Sequence, residues 1–364
     1  MMNSMKKKIA VLPGDGIGPE VTAQGLKALR AVAEVYGHEF DYTEALVGAV
    51  AIDATGDPFP AETEEACRTA DAILFGAIGH PKYDDDPAAR VRPEQGLLAM
   101  RKKLGLFANV RPVTSYEALL PISPLKEEII RNADFVVFRE LTGGIYFGQP
   151  RGRSEDGARA FDTCNYSKDE IIRVSRLAFN AAASRKKRIT LVDKANVLAT
   201  SRLWRETVQE LAKDYPEIEL DFMFVDNAAM KIIQNPRYFD VVLTENMFGD
   251  IITDEASVIS GSLGMLPSAS IGAERSLFEP IHGSYPQAAG RNIANPFGAV
   301  LSAAMLLEYS FGLVEESRVI SNAVMQVVDS GFVTEDINPT SPKTTEEVGD
   351  KVAATIHELS SVKS

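Results

Sequence analysis

F-D-V-V-L-T-E-N-M-F-G-D-I-I-T-D, residues 239–254, sets two patterns side by side. A short apolar run ending in a polar turn reads as a buried strand that feeds a helix. The helix then carries Asp250 and Asp254, four positions apart. If Asp250 opens that helix after Gly249, both carboxylates project from one face, one turn apart. Like charges that close repel unless a cation lies between them. Oxygen-only ligands suit a hard divalent ion, magnesium or manganese. Asp is also ordinary at a solvated helix start, so the pair alone leaves both readings open. The spacing assigns no role to Glu245.

The strand-then-polar form recurs at residues 72–79, 134–140, 188–193 and 220–226, and a first strand precedes the turn at 13–19. Helical periodicity fills the intervals, as at 19–36, 168–185 and 201–215. This alternation predicts an α/β fold with a largely parallel central sheet. Arg139, Lys194, Asp226 and the run from Glu245 to Asp250 all fall at or just past strand C-termini, the edge where open α/β sheets bind ligands. Residues 148–166 are polar, rich in Gly and Arg, and lack a helical period. They read as a flexible loop or as an arm that docks on a partner subunit. Thr344 or Thr345 is expected to cap a last amphipathic helix.

A chain of 364 residues is long enough for two domains. Its 45% apolar and 24% charged residues are an ordinary globular balance. A formal charge of −13 argues against a nucleic-acid binder, which needs clustered Lys and Arg. An anionic small substrate stays open, because a local arginine cluster fits inside an acidic protein. Cys67 and Cys164 form neither a disulfide framework nor a zinc site and suit a reducing compartment. The N-terminus lacks the apolar run of a signal peptide, and no segment approaches the length of a membrane span. The expectation is a cytoplasmic enzyme.

Arg139 closes a buried strand and is a candidate carboxylate clamp, with Arg101 on a helical stretch and Arg111 before Pro112. Spacing alone does not separate this from three unrelated surface arginines. Tyr146 follows two glycines that permit a tight turn; a packed hairpin tyrosine fits equally. Lys194 follows a buried strand and is a base candidate; a salt bridge to Asp193 or another carboxylate is the alternative. Glycines at 14, 16 and 18 do not match G-x-G-x-x-G, so the usual dinucleotide fingerprint is lacking. The loop at 278–296 is long and holds His, Ser, Asn and many backbone N–H groups, which suits adenine and ribose.

Several blocks then occur in order: L-P-G-D-G-I-G-P-E, R-P-E-x-G-L-L-x-x-R, R-E-L-T-G-G-I-Y-F-G, D-K-A-N-V-L, N-x-F-G-D-I and G-S-x-P-x-x-A-G-x-N-I-A-N-P. From Ile9 to about Gly331 the chain resembles the β-decarboxylating dehydrogenases, the isocitrate and isopropylmalate dehydrogenases. The resemblance implies that family's two-domain fold with a central, largely parallel mixed sheet, distinct from a standard Rossmann domain. The expected large domain is 1–108 with 261–364, carrying the cofactor loops. The expected small domain is 109–260, carrying the dimer contact and the arm.

The resemblance also implies roles. Arg101, Arg111 and Arg139 clamp the substrate carboxylates. Asp250 and Asp254 ligate Mg2+ or Mn2+, completed by Asp226 of a second chain, which also reaches the substrate. Lys194, also crossing between subunits of a homodimer, and Tyr146 are the acid–base pair. Cofactor contacts are implied at Ile17, Gly79, Glu94, Glu279, His282, Gly283, Ser284, Gln287 and Asn295. Glu94, Leu97 and Leu98 match the segment that separates isopropylmalate from isocitrate, and Val197 joins the same pocket. Isocitrate enzymes carry small polar residues there, whereas two leucines offer an apolar pocket. Each buried methyl is worth about 0.8 kcal/mol, so a branched aliphatic tail is favoured. The implied reaction is oxidative decarboxylation of 3-isopropylmalate to 4-methyl-2-oxopentanoate with reduction of NAD, a step of leucine biosynthesis. Gln287 departs from the family's ribose-binding acid. NADP-using members place Lys there and Tyr after it; Gln287 and Ala288 supply neither, which favours NAD.

Overall fold

The computed structural model describes residues 4–84 and 91–361. Within them, strands run in chain order as β1 (Lys6–Gly14), β2 (Glu39–Glu44), β3 (Ala72–Ala77), β4 (Leu106–Thr114), β5 (Asp134–Glu140) and β6 (Gly152–Arg153). They continue as β7 (Ala160–Phe161), β8 (Arg188–Asp193), β9 (Glu219–Phe224), β10 (Val241–Thr244), β11 (Pro267–Gly272) and β12 (Ser276–Pro280). The chain divides into two compact units. One comprises Met1–Gly105, Tyr116–Ile122 and Ser260–Ser364; the other comprises Leu106–Ser115 and Ser123–Ile259. Tyr116–Ile122 joins the terminal unit, where its short helical turn buries Leu119 and Leu120.

In the terminal unit the strand order is β2-β1-β3-β12-β11. Neighbours are parallel except β11, which runs antiparallel to β12. This order departs from the doubly wound dinucleotide fold. Every residue of β3 is buried, as expected of a central parallel strand covered on both faces. The helix Phe297–Phe311 is apolar on nearly all sides and buried along most of its length. A helix without a polar face belongs inside a core. The last helix, Thr345–Ser361, begins at a reciprocal cap. Thr344 and Glu347 each accept the other's backbone N–H, at 3.2 and 2.8 Å.

In the central unit the order is β4-β5-β10-β8-β9. β4 is antiparallel to β5, and the other neighbours are parallel. The helix Lys168–Ala183 starts at a capping box of Ser167 and Glu170 and buries Ile171, Val174, Ala178 and Phe179 on one stripe. β6 and β7 form a small, fully exposed antiparallel hairpin inside the polar stretch 148–166. Because β5, β10, β8 and β9 run parallel, their C-terminal ends share one edge. That edge delivers Arg139, Glu245, Lys194 and Asp226 to the same side of the sheet.

Candidate active site

β10 passes through Glu245 into the helix Asn246–Ser257. The helix therefore starts four residues before Asp250, not at Asp250 as the sequence suggested, because Glu245 is its cap. The Glu245 carboxylate accepts the Phe248 N–H at 2.9 Å. It caps as Asp or Asn commonly does, although a longer side chain makes it an uncommon choice. Asp250 and Asp254 still sit one turn apart on the solvent side; their side chains are 40% and 74% exposed.

Arg139 lies on β5 beside β10, with Thr244 as its register partner. It is only 5% exposed. Its Nε and Nη2 donate to the Asn246 side-chain oxygen at 3.0 and 2.8 Å, and Nη1 donates to Asp250 Oδ1. The second oxygen of Asp250 accepts the Tyr146 hydroxyl at 2.8 Å. Burial and this bond to a carboxylate raise the Tyr146 pKa, which keeps the phenol protonated. Arg111, on β4, donates Nε to Asn109 at 2.8 Å and Nη1 to Thr253 at 2.9 Å and Asp254 at 3.1 Å. Arg139, Asn246, Asp250 and Tyr146 thus form one hydrogen-bonded group, and Arg111, Thr253 and Asp254 a second one turn along the same helix, the two making up one array.

Lys194 and Asp226 are a separate pair, joined at 2.6 Å. Lys194 does not bond Asp193, whose buried carboxylate is taken by Arg205 at 2.8 Å through two nitrogens. The bond from Lys194 holds the Asp226 carboxyl below its usual range. Among the described residues, no three His, Cys, Asp or Glu side chains of one chain come together to hold a metal. Asp250 and Asp254 offer an all-oxygen donor set that fits a hard cation, and among the described residues of one chain no third such ligand joins them.

The terminal unit carries the remaining candidates. Arg101 reaches Glu279 through Nη2 at 3.4 Å, while its buried Nε has no partner. A guanidinium left partly unsatisfied in this way can donate to an incoming carboxylate. Leu97 is half-buried, Leu98 is 48% exposed, and Glu94 is exposed on the same helix, Pro93–Lys103. Val197, in the central unit, is 63% exposed.

Three loops at strand C-termini are tied together here. Asp15, buried after β1, accepts the N–H groups of Ala49, Val50 and Gly79 at 2.8, 2.9 and 3.0 Å. The Ile17 N–H donates to the Ser284 carbonyl at 2.8 Å. A cavity of about 820 Å³ opens beside them, lined by Ile17, Gly264, His282, Tyr285, Asn295 and Asp336 among others. Its floor is braced by Asp336, which accepts from Ser262 at 2.5 Å and from Asn295 at 2.9 Å. His282 Nε2 is buried against this cavity without a partner. Burial lowers the His282 pKa, which favours the neutral ring. A purine and ribose suit this mix of apolar wall, neutral imidazole and amide. Gln287 is exposed on the short turn Pro286–Ala288.

The sequence motifs assign no role to Asn246, Gly249, Tyr166, Asp15 or Asp336. Asn246 and Gly249 were within reach: both lie in N-M-F-G-D. A Cβ on Gly249 would fall 2.6 Å from Arg139 Cγ, so glycine there makes room for the arginine stem.

Residues 8–352 match the family described as isocitrate/isopropylmalate dehydrogenase. A 3-isopropylmalate dehydrogenase of Bacteroides fragilis is 57% identical over 333 residues, covering 92% of this chain and 93% of its own. One of Priestia megaterium is 55% identical over 336 residues, covering 92% and 91%. Among solved structures, isocitrate dehydrogenase from Methylococcus capsulatus superposes with a TM-score of 0.85 at 32% identity, covering 96% of this chain and 99% of its own.

Proposed function

The chain belongs to the isocitrate/isopropylmalate dehydrogenase family, and we propose that it oxidatively decarboxylates (2R,3S)-3-isopropylmalate to 4-methyl-2-oxopentanoate and carbon dioxide, with reduction of NAD, in leucine biosynthesis. The observation that carries this reading is the array on the helix Asn246–Ser257: two aspartates one turn apart, each held by a buried or half-buried arginine, with a phenol on one of them. Over half of all positions are shared with the two 3-isopropylmalate dehydrogenases above.

Arg101, Arg111 and Arg139 bind the carboxylates of the substrate. Lys194 takes the proton of the 2-hydroxyl. The Tyr146 phenol delivers a proton to C3 after carbon dioxide leaves. Leu97, Leu98 and Val197 receive the isopropyl group. Asp250 and Asp254, with Asp226 from a second chain, would hold Mg2+ or Mn2+, which would polarise the 2-oxygen and stabilise the charge that builds there. Ile17, Gly79, Glu94, Glu279, His282, Gly283, Ser284, Gln287 and Asn295 would hold NAD. The partnerless His282 Nε2 supports this placement, and Gln287 in place of Lys favours NAD over NADP.

A homodimer follows from the same reading. Lys194 and Asp226 form their own pair, and the described residues of one chain offer no third metal ligand. The exposed Val197, Met230 and Ile251 supply apolar surface for a partner. The unit carrying both termini is read as the cofactor domain and the central one as the dimerising domain. Among the described residues no helix is long and apolar enough to cross a membrane, and a cytoplasmic location accords with leucine biosynthesis.

The test is formation of reduced nicotinamide by purified protein with magnesium, offering 3-isopropylmalate, isocitrate and D-malate, each with NAD and with NADP. Turnover confined to 3-isopropylmalate and NAD supports the reading. Preference for isocitrate or D-malate overturns the role of Leu97 and Leu98. No turnover with any of them overturns the function.

A further inference from the structure

Tyr166 sits beneath the array without touching its solvent face. It is buried, and its ring packs edge-on against Trp204 at 5.4 Å. Its hydroxyl donates to Glu245 Oε2 at 3.1 Å and accepts the Asn246 N–H at 3.0 Å. Both neighbours serve the start of the helix Asn246–Ser257. Glu245 caps it, and the Asn246 side chain grips the Arg139 fork. The Asn246 amide also donates to the Gly143 carbonyl at 3.2 Å.

The same ring supports the turn that carries Tyr146. A Cβ on Gly143 would lie 2.6 Å from Tyr166 Cε1, and one on Gly144 would lie 2.3 Å from its hydroxyl oxygen. Gly144 has φ +74° and donates its N–H to the Asn165 carbonyl at 3.1 Å. Tyr166 therefore contacts both the element that orients Arg139 and the turn that presents Tyr146.

We propose that Tyr166 is a positioning residue for the reaction: through Asn246 it sets the Arg139 guanidinium, and through the Gly143–Gly144 turn it sets the Tyr146 phenol. Glu245 acts with it, holding the hydroxyl so that the oxygen lone pair faces the Asn246 N–H. The assignment rests on the roles proposed above for Arg139 and Tyr146. A fork fixed by a hydrogen-bonded neighbour loses less freedom when it binds a carboxylate, so the hydroxyl acts on substrate affinity without touching substrate.

The experiment is a double-mutant cycle on the full chain. Tyr166→Phe keeps the ring and removes the hydroxyl; Arg139→Lys removes the fork that it positions. Dissociation constants for 3-isopropylmalate with magnesium, and KM for hydroxy acid and for NAD, are measured for the wild type, both single variants and the double variant. Tyr166→Phe is expected to weaken hydroxy-acid binding about tenfold, lower kcat, and leave KM for NAD unchanged. In the Arg139→Lys background it is expected to weaken binding no further.

Effects of the two substitutions that simply multiply, or a KM for NAD that rises in step, would overturn the assignment. Glu245→Gln, which keeps the cap but removes one acceptor, decides the question should Tyr166→Phe fail to fold. It is expected to shift hydroxy-acid KM in the same direction, and no shift would overturn the proposal. A wild-type chain that binds no hydroxy acid would remove the proposed function itself, and this role with it.

Discussion

Gly249 lies against the side chain of Arg139, so close that a methyl group on it would fall 2.8 Å from Arg139 Cβ and 2.6 Å from Cγ. These two atoms stand at the root of the arginine, where a flexible tip offers no relief. Asn246, three residues earlier, holds the far end of the same side chain, and Asp250, one residue later, pairs with it. One short motif at the start of a helix therefore shapes the whole length of an arginine contributed by β5.

Gly249→Ala is expected to push Arg139 from its seat. Overpacking of this kind costs about 1–3 kcal/mol. Thermal unfolding should show a lowered Tm, and hydroxy-acid KM should rise while KM for NAD holds. Unchanged hydroxy-acid KM would separate the motif glycine from the clamp.

Two inactive chains are expected to rescue each other. Lys194→Met removes the proposed base, and Asp250→Asn removes a proposed ligand of the other site half. Each alone should be nearly inactive. Unfolded together and refolded, random pairing in a two-fold dimer leaves about a quarter of the sites intact, so that share of wild-type activity should return. Activity that stays at the level of the separate variants would place both residues in one chain's own site.

Leu97 and Leu98 are expected to set the preference for a branched tail. Replacing both with Ser removes the apolar surface offered to the isopropyl group. At about 0.8 kcal/mol per methyl, the ratio of kcat/KM for 3-isopropylmalate over D-malate should fall about tenfold. A ratio that does not move would direct the search to other residues.

Acidification is expected to destabilise the fold through His282. Burial lowers its pKa in the folded chain, so the unfolded chain binds more protons between the folded value and the ordinary value of about 6.5. Stability from this group is therefore complete above that ordinary value and is lost as pH falls through it toward the folded value. Tm measured from about pH 7.5 to about pH 5.5 should drop less steeply in His282→Asn than in the wild type. Parallel curves would show that His282 titrates alike in both states.

Much of this was legible in the chain. The alternation of apolar runs with helical periods specified an α/β protein, because each period reflects purely local geometry. The position of Arg139, Lys194 and Asp226 near strand ends put them along one edge of the sheet, since parallel strands present their C-termini together. Asp250 and Asp254 remained one turn apart even though the helix begins earlier than expected, because a four-residue spacing survives a shift of the start. Glu245 had no visible role. Its capping bond is local, but Asp and Asn are the usual signals, and its second bond reaches a tyrosine 79 positions away.

The sequence by itself marked the strands β1, β3, β5, β8, β9 and β10 and the spacing of the acidic pair, all of which depend on neighbours a few residues apart. Only the tertiary structure decided which distant side chains meet: Arg139 with Asn246, 107 positions on, Lys194 with Asp226 and not with the adjacent Asp193, and Tyr166 beneath both the clamp and the turn. Those meetings depend on strand order, β5 beside β10 beside β8 beside β9. Strand order follows from how all the apolar faces bury one another at once, which no local stretch of sequence encodes.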